Sequence, residues 1–499
     1  MDGLIIGGGP TGLTLGCELI KRGLKVRLIE KLPQATDQSR ALALQSRTLE
    51  IFERMGILDR FLKEGRIIHR GNFNHNHKLF ASIDFAALQA PYPFILVVPQ
   101  SETEKILADH FENLGGEIER GVSLQELLGE EAVLNHATGR IEKTSARWIF
   151  GCDGAHSEVR HSLNLPFKGA AFPETFALAD VEMQIDLPQD QAHFYSYRSH
   201  VCGLIPLTAK NEFRIIVIGA KKQQVSTDLP FFHHFVKICS GLPLEIKRTS
   251  WTSIFTIHRR ITSKMRVGNI FLLGDAAHIH SPAGGQGLNT SVQDAFNLGW
   301  KIALIHHNKA HKTLLDSFEQ ERFPAAKDVL RYTTLATKII SSRLLKAFLF
   351  PVFSHLSKKP FVQKYLTRSV SELNLSYHNS PIIAKDRDTH WKGPKPGERA
   401  PDAILADHRR LFQLLSHPLH TLVCFGDRQF EPLLEKINLN FPQTIRTVQI
   451  SQDLAGEATE IYHTSLPCYY LIRPDGVISY RSRSLDPDPF FVYLAKIFK

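Results

Sequence analysis

Gly7-Gly8-Gly9-Pro10-Thr11-Gly12 stands between an apolar run, Leu4-Ile5-Ile6, and a helically spaced one through Leu13, Leu15, Leu19 and Ile20. The chemistry this spacing suits is the grip on a dinucleotide. Gly7 allows a tight turn, Gly9 lets backbone N–H groups approach a pyrophosphate, and Gly12 lets the helix pack on the strand. A helix starting near Pro10 and Thr11 turns its free N–H groups toward the phosphates. Glu30, 18 residues past Gly12, closes a second strand at 25–30, and Lys31 follows it. A carboxylate there accepts a hydrogen bond from a ribose hydroxyl.

The elements that must position these residues read as a strand–helix–strand opening whose helix ends at Gly23. Aromatic-rich strand patterns recur at Phe94–Val98, Phe194–Tyr197, Val201–Ile205, Phe213–Gly219 and Ser250–Ile257. Polar turns separate them, which predicts an antiparallel sheet inserted into the α/β domain. Ile270–Leu273 reads as a short buried strand. From Ser291 to Ser357 the pattern is helical, with breaks expected at Pro324 and Pro351. Residues 392–397 read as a linker, and beyond them strands are expected at Thr421–Phe425, Thr447–Ile450 and Tyr469–Ile472.

A chain of 499 residues has room for about three domains. With 43% hydrophobic and 22% charged residues it is neither disordered nor fibrous. No apolar run reaches the roughly 20 residues a membrane span needs, and Met1 and Asp2 lead straight into a strand pattern, so no signal peptide is expected. Cys17, Cys152, Cys202, Cys239, Cys424 and Cys468 form no CxxC, which speaks against a disulfide framework and against a metal site. The expected compartment is the reducing cytoplasm. The net charge of +10 resides in residues 301–400, and 329–371 holds eight basic residues and no acid. That stretch reads as a solvated helical face, a patch resting on an anionic membrane, or a surface packed under the C-terminal domain or across a homodimer. Packing is favoured, because a linker and a whole domain follow and must dock. No nucleic-acid partner is expected.

Two further motifs complete a set. Residues 151–160, Gly-Cys-Asp153-Gly154-Ala-His156-Ser-Glu-Val-Arg, follow a DGxxSxVR pattern. Gly274-Asp275-Ala-Ala-His278 runs into Ser281-Pro282-Ala283-Gly284-Gly285-Gln286-Gly287-Leu288-Asn289. In this order the three motifs resemble the flavin-dependent aromatic hydroxylases, the class A flavoprotein monooxygenases that include phenol and polyketide hydroxylases. The resemblance covers about residues 1–340. Pro396–Asp402 and Leu471–Ile478 also resemble the thioredoxin-like extension carried by some members. The implied fold class is α/β. A Rossmann-like FAD-binding domain (1–70, 95–174 and 262–340) carries an inserted antiparallel-sheet substrate domain (71–94 and 175–261). A helical connector (341–391) and a thioredoxin-like α/β domain (392–499) follow.

The resemblance implies non-covalent FAD, NAD(P)H as a transient co-substrate without a fingerprint of its own, and O2. Gly7, Gly9, Pro10, Thr11, Gly12, Glu30, Lys31 and Asp153 would serve the adenosine and pyrophosphate end. Arg40 resembles the family's pyrophosphate ligand and Gln100 its ribityl contact, while Gly274 and Asp275 would present a carboxylate to the ribityl hydroxyls. The helix expected from Leu288 would bring Gly285, Gly287, Leu288 and Asn289 to the isoalloxazine, its N–H groups and dipole favouring the anion of the reduced ring. Pro282, Gly285 and Arg47 are the candidate catalytic positions. Arg47 reads equally as a helix salt bridge, and His156 and His278 as hydrogen-bonded scaffold. A bulky side chain at Gly285 is expected to block the flavin with little effect on the fold.

The implied reaction is hydroxylation of a phenolic or polycyclic aromatic compound through a flavin hydroperoxide. Alternatives with the same flavin are antibiotic inactivation, Baeyer–Villiger-type insertion, or a flavin-binding protein without turnover. Phe194, Tyr195, Tyr197, Phe213 and Phe255 read equally as substrate pocket and as sheet core.

Overall fold

The computed structural model describes residues 1–36, 41–198, 200–219, 225–281, 284–341, 350, 353–388 and 390–499. Its first layer is a six-stranded sheet in the order 266–267, 270–272, 148–151, 3–6, 26–30, 118–120. All its pairs are parallel except the first. The strand Gly3–Ile6 is buried throughout, as a strand covered on both faces must be. The helices Pro10–Ile20 and Gln100–Asn113 pack on this sheet, and the 20-residue helix Gly287–His306 lies along Pro10–Ile20.

The second layer is an eight-stranded sheet in the order 278–279, 244–262, 167–185, 212–219, 200–206, 191–197, 70–75, 78–84. It is antiparallel apart from the parallel pair 191–197 and 70–75. Phe167–Ile185 and Leu244–Thr262, 19 residues each, are ladder partners along their length, with shifts of register at three places. The boundaries expected at 174/175 and 261/262 therefore fall inside single strands of this sheet. The helix Leu229–Ser240 covers one face through Ala177, Val181, Tyr195, Phe213, Ile215 and Phe232. Strict alternation puts Phe176, Phe194, Ile216, Ile218 and Phe255 on the opposite face. Phe194 and Ile205 pack there against Leu42 and Val97 of the dinucleotide-binding domain. Of the five aromatic residues left open by the sequence, Tyr195, Tyr197 and Phe213 belong with the helix-covered core.

The helical region departs from expectation. The break falls at His307–His311, and Pro324 lies inside one continuous helix, Asp316–Ser341. A proline there removes one backbone bond without ending the helix, since both flanks are packed. Pro351 lies outside the described residues. The helix Pro360–Val370, from the basic stretch, covers the edge strand Lys78–Asp84 and not the C-terminal unit. Gln363 donates to the Ser82 carbonyl at 2.7 Å, and Leu366 and Val370 sit against Ile83 and Phe85. An exposed edge strand needs such a cover. No helix among the described residues is long and apolar enough to cross a membrane.

The C-terminal unit has a four-stranded sheet in the order 445–450, 420–425, 468–472, 478–482. The last strand was not anticipated. One face has its own core around Trp391, Tyr462 and Tyr470. The other, through Leu422, Tyr469, Phe490 and Phe498, joins the core of the dinucleotide-binding domain. The turn Arg473-Pro474-Asp475-Gly476 penetrates that domain. Arg473 grips Glu321 with both arms, at 2.6 and 2.9 Å, and Lys301 reaches the same carboxylate at 2.8 Å, all three side chains fully buried. Asp475 accepts from Asn297 and Trp300, both at 3.3 Å, and from Arg473. Burial pulls the Lys301 ammonium down to about 8 despite Glu321 beside it, whereas Lys301 and Arg473 hold Glu321 well below the usual carboxylate range against its burial.

Removing one member of a buried charge cluster strands the others at a cost of about 3–5 kcal/mol. Arg473→Met is expected to lower the melting temperature by several degrees and to keep one cooperative transition. Differential scanning calorimetry checks this, and a separate early transition for the C-terminal unit would contradict the shared core.

Candidate active site

The three sequence motifs meet at the C-terminal ends of the parallel strands. Gly7 has φ +109°, and a Cβ on it would stand 2.3 Å from the Cys152 carbonyl oxygen. A Cβ on Gly12 would stand 2.0 Å from the Gly7 carbonyl. On Gly274, with φ +58°, it would stand 2.6 Å from Thr11 Oγ1. Side chains at these positions would push the motifs apart. Arg160 ties the second motif to the third by donating to the Ala276 carbonyl at 2.9 Å and the Ala155 carbonyl at 3.0 Å. Asp153 accepts from the amides of Glu158 (2.8 Å) and Val159 (3.2 Å) with one oxygen.

Around this junction the remaining candidates take their places. Pro10 is the first residue of a helix capped by Gly9. Glu30 ends its strand, accepting from the amides of Gly8 at 2.7 Å and Leu32 at 2.9 Å, and Lys31 is exposed. Asp275 is exposed just past the strand Ile270–Leu272. Gln100 begins its helix, accepts from the Ala41 amide at 3.1 Å and donates to Glu104 at 2.8 Å. Arg40 and Pro282 lie outside the described residues.

The glycine loop is clamped by one side chain. Asn289 donates to the Gly285 carbonyl at 2.7 Å and the Ala43 carbonyl at 2.8 Å, and accepts from the Gln45 amide at 2.8 Å. Gln45 donates to the Gly284 carbonyl at 3.0 Å. Gly285 has φ +65°, and a Cβ there would lie 2.8 Å from the Ala43 Cβ. A bulky residue at 285 would therefore strain the loop itself, which corrects the expectation of little effect on the fold. The helix starts at Gly287, one residue before the expected Leu288, which is half-buried.

The residues fit FAD on two counts. A Cβ built on Gly9 or on Gly287 meets nothing within 4 Å, so open space stands before both helix N-termini, where backbone N–H groups lack intrahelical partners. The second oxygen of Asp153 is buried and has no partner among the described residues, an acceptor suited to a ligand hydroxyl. Burial lifts the Asp153 carboxyl above its ordinary range against the Ser157 and backbone donors. Residues 1–333 match the family described as FAD binding domain. The chain belongs to that family. It is similar, at 34% identity over 500 residues covering 98% of this chain and 95% of the relative, to an uncharacterized aromatic compound monooxygenase of Bacillus subtilis (strain 168), YhjG. It is 33% identical over 431 residues to pentachlorophenol 4-monooxygenase of Sphingobium chlorophenolicum, covering 84% and 79% of the two chains. The solved structure of OxyS anhydrotetracycline hydroxylase from Streptomyces rimosus superposes with a TM-score of 0.83 at 28% identity, covering 100% and 99%. The fold is that of the FAD-dependent aromatic hydroxylases, and the chain is an FAD-dependent monooxygenase.

Sequence reasoning misplaced one residue of this monooxygenase and missed several. Arg47, a candidate catalytic position, spends its guanidinium on Glu50 at 2.8 Å and on the Asp475 carbonyl at 2.5 Å, so it braces the C-terminal turn. The salt-bridge reading of its sequence context describes it. His278 is scaffold in its bonding. Its Nε2 lies 2.7 Å from Asp294, its Nδ1 lies 2.8 Å from His280 Nε2, and Asp294 also accepts from the Gly274 amide at 3.1 Å and from Arg322 at 2.7 Å. Burial alone would raise Asp294, but His278 and Arg322 bring it down to about 2. That carboxylate then fixes the backbone of the third motif through its own ionised oxygens. Asp294 lies five residues past Asn289, a residue the sequence did single out, in a run of polar residues on one helix that could have flagged it as well.

Gly9 offers a clean separation of binding from folding, because its φ of −76° suits any residue and its Cβ would touch no protein atom. Gly9→Val is expected to leave the melting temperature of the flavin-free protein unchanged and to weaken FAD binding at least tenfold, about 1.4 kcal/mol. Fluorescence titration with FAD checks it, and wild-type affinity would show that the cradle is not where the dinucleotide lies.

Proposed function

We propose that the enzyme hydroxylates an uncharged phenolic or polycyclic aromatic compound, consuming NAD(P)H and O2. The observation that carries this reading is the sheet face turned toward the dinucleotide-binding domain. Phe176, Phe194, Ile216, Ile218 and Phe255 share that face, the last four half-buried, and make it an apolar, aromatic wall. Its ion pairs are closed on themselves: Arg214 holds Asp180 by two bonds of 2.7 Å, with Trp251 over the guanidinium at 5.0 Å, and Arg248 holds Glu182 at 2.8 Å toward the exposed end. Such a wall suits a flat ring system and offers a substrate carboxylate no dedicated partner. The relatives that act on pentachlorophenol and anhydrotetracycline support a substrate of this kind.

Each part of the chain has a task in this reading. Gly7, Gly9, Gly12 and the helix start at Pro10 hold the pyrophosphate, Glu30 the ribose, and Asp153, Gln100 and Asp275 hydroxyl groups of the cofactor. Gly285, Gly287, Leu288 and Asn289 present backbone donors to the ring, and the positive helix end favours negative charge there. When bound, FAD supplies the redox chemistry, taking a hydride from the nicotinamide, activating O2, and delivering one oxygen atom to the ring while the other leaves as water. The apolar sheet face keeps water from that transfer. The C-terminal sheet order, a parallel pair followed by an antiparallel hairpin, supports a thioredoxin-like reading. Burial pushes the Cys468 thiol up to about 12 and the Cys424 thiol higher still. We assign this unit to docking, not to thiol redox work.

Asp275→Ala removes charge-assisted hydrogen bonds of about 1.5–3 kcal/mol and should cost FAD affinity by one to two orders of magnitude. Stopped-flow mixing of the yellow wild-type protein with NADPH should bleach the flavin, and more quickly when a phenol that it hydroxylates is present. A flavin that NADH and NADPH both fail to reduce, with or without phenols, would overturn the proposed reaction.

A further inference from the structure

Glu372 is a charged residue type in a place built for a neutral one. It follows the helix Pro360–Val370, has φ +58°, and is 8% exposed. Its two oxygens accept from Thr290 Oγ1 at 3.3 Å and from Gln293 Nε2 in a shorter contact. Both donors are neutral and lie on the first two turns of the helix Gly287–His306. The chain just before Glu372 holds the same region. The Ser371 carbonyl accepts from the Arg47 amide at 3.3 Å, and the Ser369 carbonyl from Gln286 Nε2 at 3.5 Å. Residues 369–372 thus form a strap across the beginning of the flavin helix.

The cations nearby are already committed. Arg47, from the helix Ser46–Met55, pairs with Glu50, and Arg399, from the C-terminal unit, with the same carboxylate at 2.6 Å. Arg322, from the helix Asp316–Ser341, pairs with Asp294 and bonds the Tyr377 hydroxyl at 2.7 Å. Arg368, on the strap's own helix, bonds Asn374 at 2.9 Å. Asp475 and Tyr377 also line the cavity of about 20 Å3 beside Glu372, room for about one water. No ion pair within 4.0 Å reaches Glu372 among the described residues. Burial disfavours a carboxylate that no cation pairs and, only partly offset by Arg322, the Thr290 and Gln293 hydrogen bonds and Arg47, pushes Glu372 up to about 8, while the Thr290 hydroxyl can accept from the acid as well as donate to it.

We propose that Glu372 is a positioning residue, a neutral acid that straps the connector to the flavin helix and, on losing its proton, weakens the hold of that helix end on reduced FAD. This rests on the flavin-binding reading above. A carboxylate formed beside Thr290 opposes the positive end of the helix, where the reduced ring carries its negative charge.

The sign for stability follows from proton binding. Between the ordinary carboxyl value near 4.5 and about 8, the folded protein keeps a proton that the unfolded chain releases. The stability contributed by Glu372 is thus full below that window and lost as pH rises through it. Glu372→Gln retains hydrogen bonding without the proton, and Glu372→Ala removes the strap. In thermal melts of the holoenzyme from pH 5 to 9, the wild type should lose stability relative to Glu372→Gln up to pH 8 and run parallel to it above. Glu372→Ala should melt below Glu372→Gln at every pH. The midpoint potential of bound FAD should be the same in wild type and Glu372→Gln at pH 6. At pH 9 it should be more negative in the wild type. A wild-type-minus-Gln melting difference independent of pH, or equal potentials at pH 9 in two yellow proteins, overturns the role of Glu372. Failure of the wild-type protein to bind FAD overturns the flavin reading instead.

Discussion

The helix Gly287–His306 must bury hydrogen-bonding side chains on almost every turn, and much of the molecule is arranged to satisfy them. Asn289, Thr290, Gln293, Asp294, Asn297 and Lys301 are all at most 5% exposed. A buried polar group without a partner costs about 1–3 kcal/mol, and an uncompensated charge more. The partners come from far along the chain. Ala43 and Gln45 serve the first turn, Glu372 the next, and His278 and Arg322 the third, while Glu321 and Asp475 serve the last two. The helix is thereby pinned against sliding and rotation at five heights, which in the proposed reading fixes the end it offers to the flavin.

The charges in this arrangement set geometry more than they add stability. Desolvating Lys301, Glu321, Arg473 and Asp475 offsets most of their mutual attraction, and a well-packed apolar set could equal it. The bidentate grip of Arg473 on Glu321 does what apolar packing does poorly, since it fixes the register of one domain on another. The apolar half of the same interface, through Leu422, Tyr469 and Phe498, supplies the bulk of the favourable burial.

What the sequence made legible was local. Gly7 to Gly12, Asp153-Gly154 and Gly274-Asp275 are contiguous, and their spacing carries the turn, the helix start and the acid that the chemistry needs. Four strands of the inserted sheet were legible as elements, and their alternation sorted Phe255 from Phe213 once pairing was known, whereas Phe94–Val98, expected in that sheet, pairs at 95–97 with 43–44 and 66–68 in a separate three-stranded sheet. The salt bridge of Arg47 was legible as one of two readings, but its grip on the Asp475 carbonyl was not, because that partner lies 428 residues away. Glu372 resembles any surface acid following a basic helix until Thr290 and Gln293 enclose it. Pro324 reads as a break by its own conformational preference, yet the packing of Ala326 and Leu330 carries the helix past it. Long-range pairing, and not residue type, decided each of these.

The turn Arg473–Gly476 leaves the ribosome more than 150 residues after Glu321, the acid it must pair with. Chains fold from the N-terminus as they are made, but the first strand here must await residues 148–151 and then 270–272 for its neighbours. Even then the dinucleotide-binding domain holds Glu321 without Arg473 and Glu50 without Arg399. Its interior is electrically incomplete until the C-terminal unit has been made. A chain cut before Arg473 would therefore yield no smaller working enzyme, only one with exposed core and half-paired acids for cellular proteases to remove.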